Sequence, residues 1–204
     1  VLETEDRPGH HATGRSVAMD TYALQANWHM KRYGTTAEQI AIGAAKNHNY
    51  GSLNPKAQYR FAMTPEQVLA DRMIVAPLTR AMCAPVGDGA AAVLLCSGAW
   101  LDRAPAAVRD RAVRLRSIAL AGGKYRDPEE PSLSRAAAER AYAKAGISAR
   151  DIDVAEVHDA TSFCEVYQAE MMGFCGPGEG GAFVGSGATG PDGRLPINTS
   201  GGLV

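Results

Sequence analysis

Apolar residues recur at helical spacing in the first third of the chain, and this spacing predicts helices. Residues 17–33 carry such a stripe, and Gly34 suits the position just after a helix end. The stretch 35–48 is predicted to begin a second helix, because Thr36 and Gln39 fit a capping box at its start. A loop is predicted after it, and then a short helix with Thr64 as its N-cap.

Beyond residue 73 the pattern changes to apolar runs interrupted by proline and glycine, which predicts strands. We expect strands near 90–95, 113–121 and 152–157. A helix from Ser134 to Gly146 separates the last two, and another helix follows from Ser162 to Gly173. A βαβα order implies a right-handed crossover and a parallel sheet, so the predicted class is α/β. We expect the strand that ends at His158 to be central in the sheet.

The composition is that of an ordinary globular protein. Apolar residues make up 46% of the 204 residues, charged residues make up 21%, and the formal net charge is −1. Nothing in this balance suggests nucleic acid or an anionic membrane as a partner, and neither is predicted. No apolar run reaches the roughly 18 residues of a transmembrane helix.

Cysteine usage and the two ends of the sequence add two expectations. The four cysteines, Cys83, Cys96, Cys164 and Cys175, show no CxxC spacing. They therefore predict neither a zinc site nor a disulfide framework, and reduced thiols in the cytoplasm are the simplest interpretation. The first fourteen residues resemble an interior loop, and residues 198–204 stop where an apolar segment begins. We therefore expect an internal piece of a longer protein.

His158 is the main candidate for chemistry. It follows a predicted strand and precedes a helix, at the sheet edge where α/β proteins bind ligands. An imidazole there could donate a hydrogen bond to a developing oxyanion, but a buried histidine bonded to backbone is the plainer alternative. Asp159 fits a simple turn residue. Ser162 and Glu165 fit a capping box.

Two glycine-rich stretches and the other histidines offer weaker signals. Residues 185–190, "GSGATG", match a dinucleotide fingerprint literally, but a turn follows them and not the required helix, so we reject that site. Asn198 to Gly202 fit a tight turn, although paired glycines also permit close backbone approach. The remaining histidines are predicted to lie in loops or on a helix surface without metal-ligand spacing: His10, His11, His29 and His48. No metal site is predicted.

Four stretches in order resemble the thiolase superfamily, and most closely its lipid-transfer-protein or sterol-carrier branch. They are "KNHNYGSLNPKAQYR" (46–60), "CAPVGDGAAAVLLCS" (83–97), "DIDVAEVHDATSFCEVYQAEMMGFC" (151–175) and "INTSGGLV" (197–204). The resemblance implies a layered α/β/α/β/α fold with an inserted helical loop domain, present only in part here. It divides the chain into a loop domain (1–75), the end of the N-terminal half (76–112) and part of the C-terminal half (113–204).

The resemblance also implies a reaction and site residues. Thiolases join or cleave carbon–carbon bonds in coenzyme A thioesters through a cysteine nucleophile, with no permanently bound cofactor. His158 matches the residue that binds the thioester oxygen, and Glu165 matches a recurring acid on the next helix. Three residues match the segment before the catalytic histidine loop: Asn198, Gly201 and Gly202. Asp159 is expected to orient the turn. The partners implied are an acyl-CoA substrate and identical subunits in a homodimer or homotetramer.

The sequence departs from the classical thiolase pattern. The family's nucleophilic cysteine, catalytic histidine and second cysteine have no counterpart in these residues, so the chain alone is expected to be inactive. Ala160 and Thr161 also replace the Cys-Phe pair of the branch's His-Asp-Cys-Phe motif. A thiolase-like retro-aldolase of steroid side-chain CoA esters, with a small OB-fold or zinc-ribbon partner protein, is the first alternative. A catalytically inactive lipid- or CoA-binding module is the second.

Overall fold

A computed structural model describes residues 17–123 and 126–203 as helices, a two-stranded sheet and long connections. The helices are α1 Val17–Tyr33, α2 Ala37–Leu53, α3 Pro65–Ala70, α4 Gly98–Leu101, α5 Ala106–Arg109, α6 Leu133–Ala145, α7 Ser162–Met171 and α8 Gly180–Gly185. The strands β1 Met73–Val75 and β2 Leu78–Thr79 pair antiparallel, and short 3-10 helices cover Arg80–Met82 and Ala149–Asp151. The predicted opening loop lies outside the described residues.

The helices of the first third follow the prediction from sequence. Helix α1 has the predicted bounds, and α3 begins at Pro65 behind the Thr64 cap. Helix α2 begins as predicted but continues to Leu53, through residues that we expected to form a loop. Gly51 lies in this last turn, where an added Cβ would meet the Tyr59 carbonyl oxygen at 3.2 Å. Close packing therefore explains a glycine that local propensity associates with a loop.

The Thr36 capping box should contribute measurably to stability. The Thr36 hydroxyl accepts from the Gln39 N–H at 3.3 Å, and the Gln39 side chain accepts from the Thr36 N–H at 3.0 Å. We expect Thr36→Ala to lower the free energy of unfolding by about 1 kcal/mol in urea titrations. Thr36→Ser keeps the hydroxyl and should lose much less. Equal losses in the two variants would contradict this role.

Helix α2 forms the centre of the main core. Small residues such as Ala41 and Ala44 are fully buried, so other helices approach its axis closely. Gly43 lies against α8, where an added Cβ would meet Val184 Cγ1 at 3.2 Å. Phe163 and Val166 of α7 fill the same core. This packing fixes α2 and α7 side by side.

A second, smaller core lies under the segment that precedes His158. Ala169, Leu195 and Ile197 are fully buried, and Ala155 and Val157 pack against them. Ala155 forms an isolated parallel bridge with Ile197, and its N–H donates to the Pro196 carbonyl at 3.1 Å. The backbone before His158 is thereby joined to the segment that leads into Asn198.

The strands predicted from apolar runs are not formed among the described residues. Residues 90–95 and 113–121 have no strand partner, and their apolar side chains are exposed, with Leu94 99% and Val113 94% accessible. The segment 152–157 makes only the Ala155 bridge, so the prediction of a central strand ending at His158 is wrong for this structure. Apolar runs report a tendency to be buried, but a strand also needs a neighbouring backbone for its N–H and C=O groups.

Residues 113–121 lie beside helix α6, and two of their side chains donate hydrogen bonds to carbonyl groups of this helix. The hydroxyl of Ser117 donates to the Ala141 carbonyl at 2.8 Å, and the Arg116 guanidinium donates to the Ala145 carbonyl at 2.8 Å. The helix runs from Leu133 to Ala145. Its N-cap is Ser132, two residues before the predicted cap, and Gly146 caps its C-terminal end as predicted. The division of the chain at residues 75 and 112 stays a prediction. In the described residues, no helix has the length and apolar character needed to cross a membrane.

Candidate functional site

His158 is exposed and makes no hydrogen bond to any described residue. Its backbone is nevertheless held on both sides. The Val157 N–H donates to Asn198 Oδ1 at 2.7 Å, and the Ala160 carbonyl accepts from the Ala84 N–H at 3.0 Å. The structure therefore presents a free imidazole on a fixed turn, although the predicted strand before it is reduced to one bridge.

The histidines that have structural roles look different. His29 is 1% accessible, with Nε2 at 2.9 Å from Glu170 Oε1 and Nδ1 at 2.9 Å from Thr35 Oγ1. His48 is 3% accessible, with Nε2 at 3.0 Å from the Ala81 carbonyl oxygen. The prediction that these two lie on a surface or in a loop was wrong, because both point into helix contacts. His10 and His11 lie outside the described residues.

Asn198 fixes the connection beside His158. It has a positive φ of 56°, which asparagine tolerates better than most residues. Its N–H donates to the Ala155 carbonyl at 2.9 Å, and its carbonyl accepts from the Gly201 N–H at 2.9 Å. The Asn198 Nδ2 is buried without a partner among the described residues. The predicted tight turn is present, and it is also joined to the backbone before His158.

Gly201 and Gly202 are required by close packing as well as by the turn. Their φ values are 110° and 64°. A Cβ on Gly201 would lie 2.7 Å from the Gly51 Cα, and a Cβ on Gly202 would collide with Asp159 Oδ2. The glycines therefore let this loop lie directly against helix α2 and against Asp159.

Asp159 is more than the predicted turn residue. It is fully buried, and its carboxylate accepts from the Leu203 N–H at 2.8 Å and from Asn47 Nδ2 at 2.9 Å. Burial raises the pKa of Asp159 to about 7, and the nearby Glu165 carboxylate adds to this effect. Asp159 therefore joins the His158 turn, the glycine loop and α2, and it carries a proton for part of the time near neutral pH.

Glu165 does not form the predicted capping box with Ser162 and binds side chains of α2 instead. Thr161 is the N-cap residue of α7, and the Ser162 hydroxyl has no partner among the described residues, so the predicted capping box is absent. The fully buried Glu165 instead accepts from Lys46 Nζ at 2.7 Å and from Asn47 Nδ2 at 3.0 Å. Burial raises the pKa of Glu165, while Lys46 acts in the opposite direction.

Lys46 and Asn47 were missed as site residues. Burial lowers the pKa of Lys46, and the nearby Glu165 opposes this. Lys46 Nζ also donates to the Ile197 carbonyl at 2.5 Å. A signal was available: Asn47 lies three residues after Ala44 and seven after Ile40, on the face of α2 that the apolar pattern marks as buried. An amide on such a face predicts a buried polar partner.

Three of the four cysteines are poorly suited to act as nucleophiles. Burial raises the pKa of Cys83 to about 11 and that of Cys175 to about 12. Burial also raises the pKa of Cys164, whose Sγ lies 3.4 Å from Thr161 Oγ1. Because the thiolate is the reactive form, these thiols are largely unreactive at neutral pH. All four cysteines are free of disulfides.

The space around the glycine loop is open, but it does not include the imidazole. A cavity of about 330 Å³ lies between residues 54–59, 84–89 and 200–203. His158 is not among its lining residues, so its ring is exposed outside this cavity. Residues 186–190 of the rejected dinucleotide motif form turns, and Gly187 has a φ of 82°.

Comparisons with known proteins agree on one family. The description "Thiolase C-terminal domain-like" matches residues 123–204. An acetyl-CoA acetyltransferase of Methanothermobacter thermautotrophicus is 39% identical over 187 residues, which cover 89% of this chain and 48% of that protein. Sterol carrier protein 2 of Bos taurus is 34% identical over 92% of this chain and 36% of its own length.

Two further comparisons extend the same relationship. Benzoylsuccinyl-CoA thiolase subunit BbsB of Thauera aromatica is 28% identical over 93% of this chain and 49% of that subunit. A solved structure, "Ltp2-ChsH2(DUF35) aldolase", superposes with a TM-score of 0.72 at 25% identity, over 89% of this chain and 49% of that one. The chain thus spans about half, or less, of the length of these proteins. It matches proteins of the thiolase superfamily over most of its own length and has the α/β thiolase-like fold in part.

Proposed function

We propose that this chain supplies the carbonyl-binding side of a thiolase-type acyltransferase that acts on acyl-CoA thioesters, including sterol- or lipid-derived ones. Because the chain spans about half the length of the acetyl-CoA acetyltransferase, the activity is proposed for a polypeptide of the relatives' length that contains it. We call this the thiolase-length polypeptide. Coenzyme A enters as part of the substrate, and no permanently bound cofactor is proposed.

The observation that carries the proposal is the contrast between His158 and the buried histidines. His29 uses both ring nitrogens in buried contacts, whereas the His158 ring is exposed above a turn held by Asn198 and Asp159. A donor on a fixed backbone can stabilise charge that develops on a substrate oxygen without reorganising first. His158 would donate to the thioester oxygen, directly or through water, as this oxygen gains negative charge when the adjoining carbon–carbon bond breaks.

The nucleophile in this proposal comes from outside the chain. The raised pKa values of Cys83, Cys164 and Cys175 argue against any of them as the acyl-accepting thiolate. The free cysteines suit a reducing compartment, so we propose the cytoplasm as location. A homodimer or homotetramer is part of the same proposal, and the relative described as a thiolase subunit supports assembly.

The experiment is thiolysis of acetoacetyl-CoA by the thiolase-length polypeptide, followed by mass spectrometry of the trapped acyl-enzyme. We expect acetyl-CoA to form and the acyl group to lie on a cysteine outside these residues. The 204-residue chain alone should show no turnover under the same conditions. An acyl group on any of the four cysteines of this chain, or turnover by the chain alone, would contradict the proposal.

A retro-aldolase is the second candidate, and the structural similarity to an aldolase that contains a DUF35 protein favours it. Such an enzyme cleaves a hydroxyacyl-CoA ester, for example of a steroid side chain, without an acyl-cysteine. A small partner protein with an OB-fold or zinc ribbon would then be required. Cleavage of a β-hydroxyacyl-CoA that continues when the cysteines of the thiolase-length polypeptide are alkylated before the partner protein is added would favour this candidate over a thiolase. Binding of CoA esters without either activity would favour an inactive lipid- or CoA-binding module.

A further inference from the structure

We propose that Asn47 is a positioning residue, whose side-chain amide holds the His158–Asp159 turn in place by binding two buried carboxyl groups at once. The inference deepens the proposed function, because it names a residue of α2 on which the placement of His158 depends. Asn47 itself lies in the helix and has no contact with the imidazole among the described residues. Its effect on chemistry therefore acts through Asp159.

The geometry brings three segments together at this amide. Asn47 Nδ2 donates to Asp159 Oδ2 at 2.9 Å and to Glu165 Oε2 at 3.0 Å. These acids lie before and within the start of α7, so the amide bridges both sides of the turn that follows His158. The second oxygen of Asp159 accepts from the Leu203 N–H, and so the glycine loop is held by the same carboxyl group.

The Asn47 amide lies among charged groups but adds no charge of its own. Two buried carboxyl groups, Asp159 and Glu165, face one mostly buried ammonium among the described residues, that of Lys46. Glu156 also acts on Lys46 at longer range, but its carboxylate is exposed and is bonded to Thr199 and Ser200. With both acids ionised the three groups carry a net charge of −1, and the Asn47 amide donates to both acids without changing that charge. The raised pKa of Asp159 agrees with a network in which a proton supplies part of the balance.

The orientation of the amide follows from its partners. Both atoms that it faces are carboxylate oxygens, so the NH₂ group must point to them. The Asn47 Oδ1 is left buried without a partner among the described residues. Leaving an acceptor unpaired is unfavourable, and the two donated bonds are what offsets it. The Asn47 side chain therefore makes its hydrogen bonds to the two carboxyl groups and none to its own helix.

The first experiment needs no catalytic activity. In the chain labelled with ¹³C at aspartate side chains, the Asp159 signal is identified as the one missing from Asp159→Asn. We expect its titration midpoint near pH 7. In Asn47→Leu the midpoint should rise by about one pH unit, because a donor to the charged form is lost. A matched control is Asn27→Leu, which removes an amide that donates to the Ala23 and Ala76 carbonyls, each at 2.8 Å, and should leave the Asp159 midpoint unchanged.

The second experiment measures kinetics in the thiolase-length polypeptide. Asn47→Leu should lower kcat by about ten- to a hundredfold with little change in KM, because a misplaced donor affects the transition state more than binding. Asn47→Asp keeps the shape, so it tests the same contact if Asn47→Leu does not fold. At low pH its protonated carboxyl still donates, but at high pH it adds a third negative charge. Its kcat relative to wild type should therefore fall about tenfold between pH 6 and pH 8.

The outcomes separate this inference from the proposed function. An unchanged Asp159 midpoint in Asn47→Leu, or a kcat deficit in Asn47→Asp that is independent of pH, would overturn the positioning role. If the wild-type polypeptide shows neither thiolase nor aldolase activity, the proposed function fails, and the titration alone still decides whether Asn47 controls Asp159.

Discussion

Replacement of His158 by alanine is expected to lower kcat of the thiolase-length polypeptide by about a hundred- to a thousandfold, with a smaller change in KM. Removing one oxyanion-hole donor costs about 3–4 kcal/mol of transition-state stabilisation in hydrolases where it has been tested. The donor acts most strongly when charge has developed on the oxygen, so binding of the ground state is less affected. Steady-state kinetics with acetoacetyl-CoA measure both parameters.

Two comparisons make this result specific to the imidazole. His158→Asn should retain part of the activity, because an amide can also donate or hold a water. Neither variant should change the free energy of unfolding by more than about 0.5 kcal/mol, since the side chain is exposed. His29→Ala should instead lose stability, because it breaks the buried contact with Glu170, and its folded fraction should keep normal kcat. If His158→Ala unfolds the protein while the folded fraction keeps full turnover, His158 is a structural residue.

Replacement of Lys46 by methionine is expected to lower the free energy of unfolding by about 3–5 kcal/mol at pH 8. The substitution leaves the Glu165 carboxylate fully buried without its cation, and an uncompensated buried charge is strongly destabilising. Glu165 can escape the penalty by taking up a proton. Burial already raises its pKa, and loss of Lys46 would raise it further, so the folded form of the variant binds a proton more tightly than the unfolded chain.

The loss of stability in Lys46→Met is expected to depend on pH. A group with a raised pKa in the folded state loses its stabilising proton as the pH rises, so the deficit of Lys46→Met should grow from pH 5 to pH 8. Urea titrations across this range measure it. The double variant Lys46→Met/Glu165→Leu should regain most of the loss, because the Glu165 carboxylate is removed together with its ion-pair partner. Lys144→Met is the control on an exposed lysine and should change stability by less than about 0.5 kcal/mol. An equal deficit in the single and double variants would mean that charge is not the cause.

Local chemistry explains which parts of the fold could be predicted. The bounds of α1, the Thr36 cap of α2 and the Thr64 cap of α3 depend on contacts within four residues, and all three predictions are confirmed. The same local rule failed at Glu165. A capping box and a buried ion pair put an acid at the same position of a helix, and only the position of Lys46, on another helix, distinguishes them.

Strands were the least predictable elements, because their formation depends on a partner. Residues 90–95 and 113–121 have the apolar character of buried strands, but no backbone in the described part of the chain lies beside them as a strand. The segment before His158 shows the same limit, since its pairing is a single bridge to Ile197. The apolar pattern records the preference of a segment and not the presence of its neighbour.

The sequence by itself determined the helical caps, the thiolase relationship and the choice of His158 as the residue to test. Each of these depends on residues close together in the chain or on motifs in a fixed order. The tertiary structure decided that Asp159 is buried with a raised pKa, that Glu165 pairs with Lys46, and that Asn47 bridges both acids. These contacts join residues more than a hundred positions apart, and burial and charge balance arise only when packing brings such residues together.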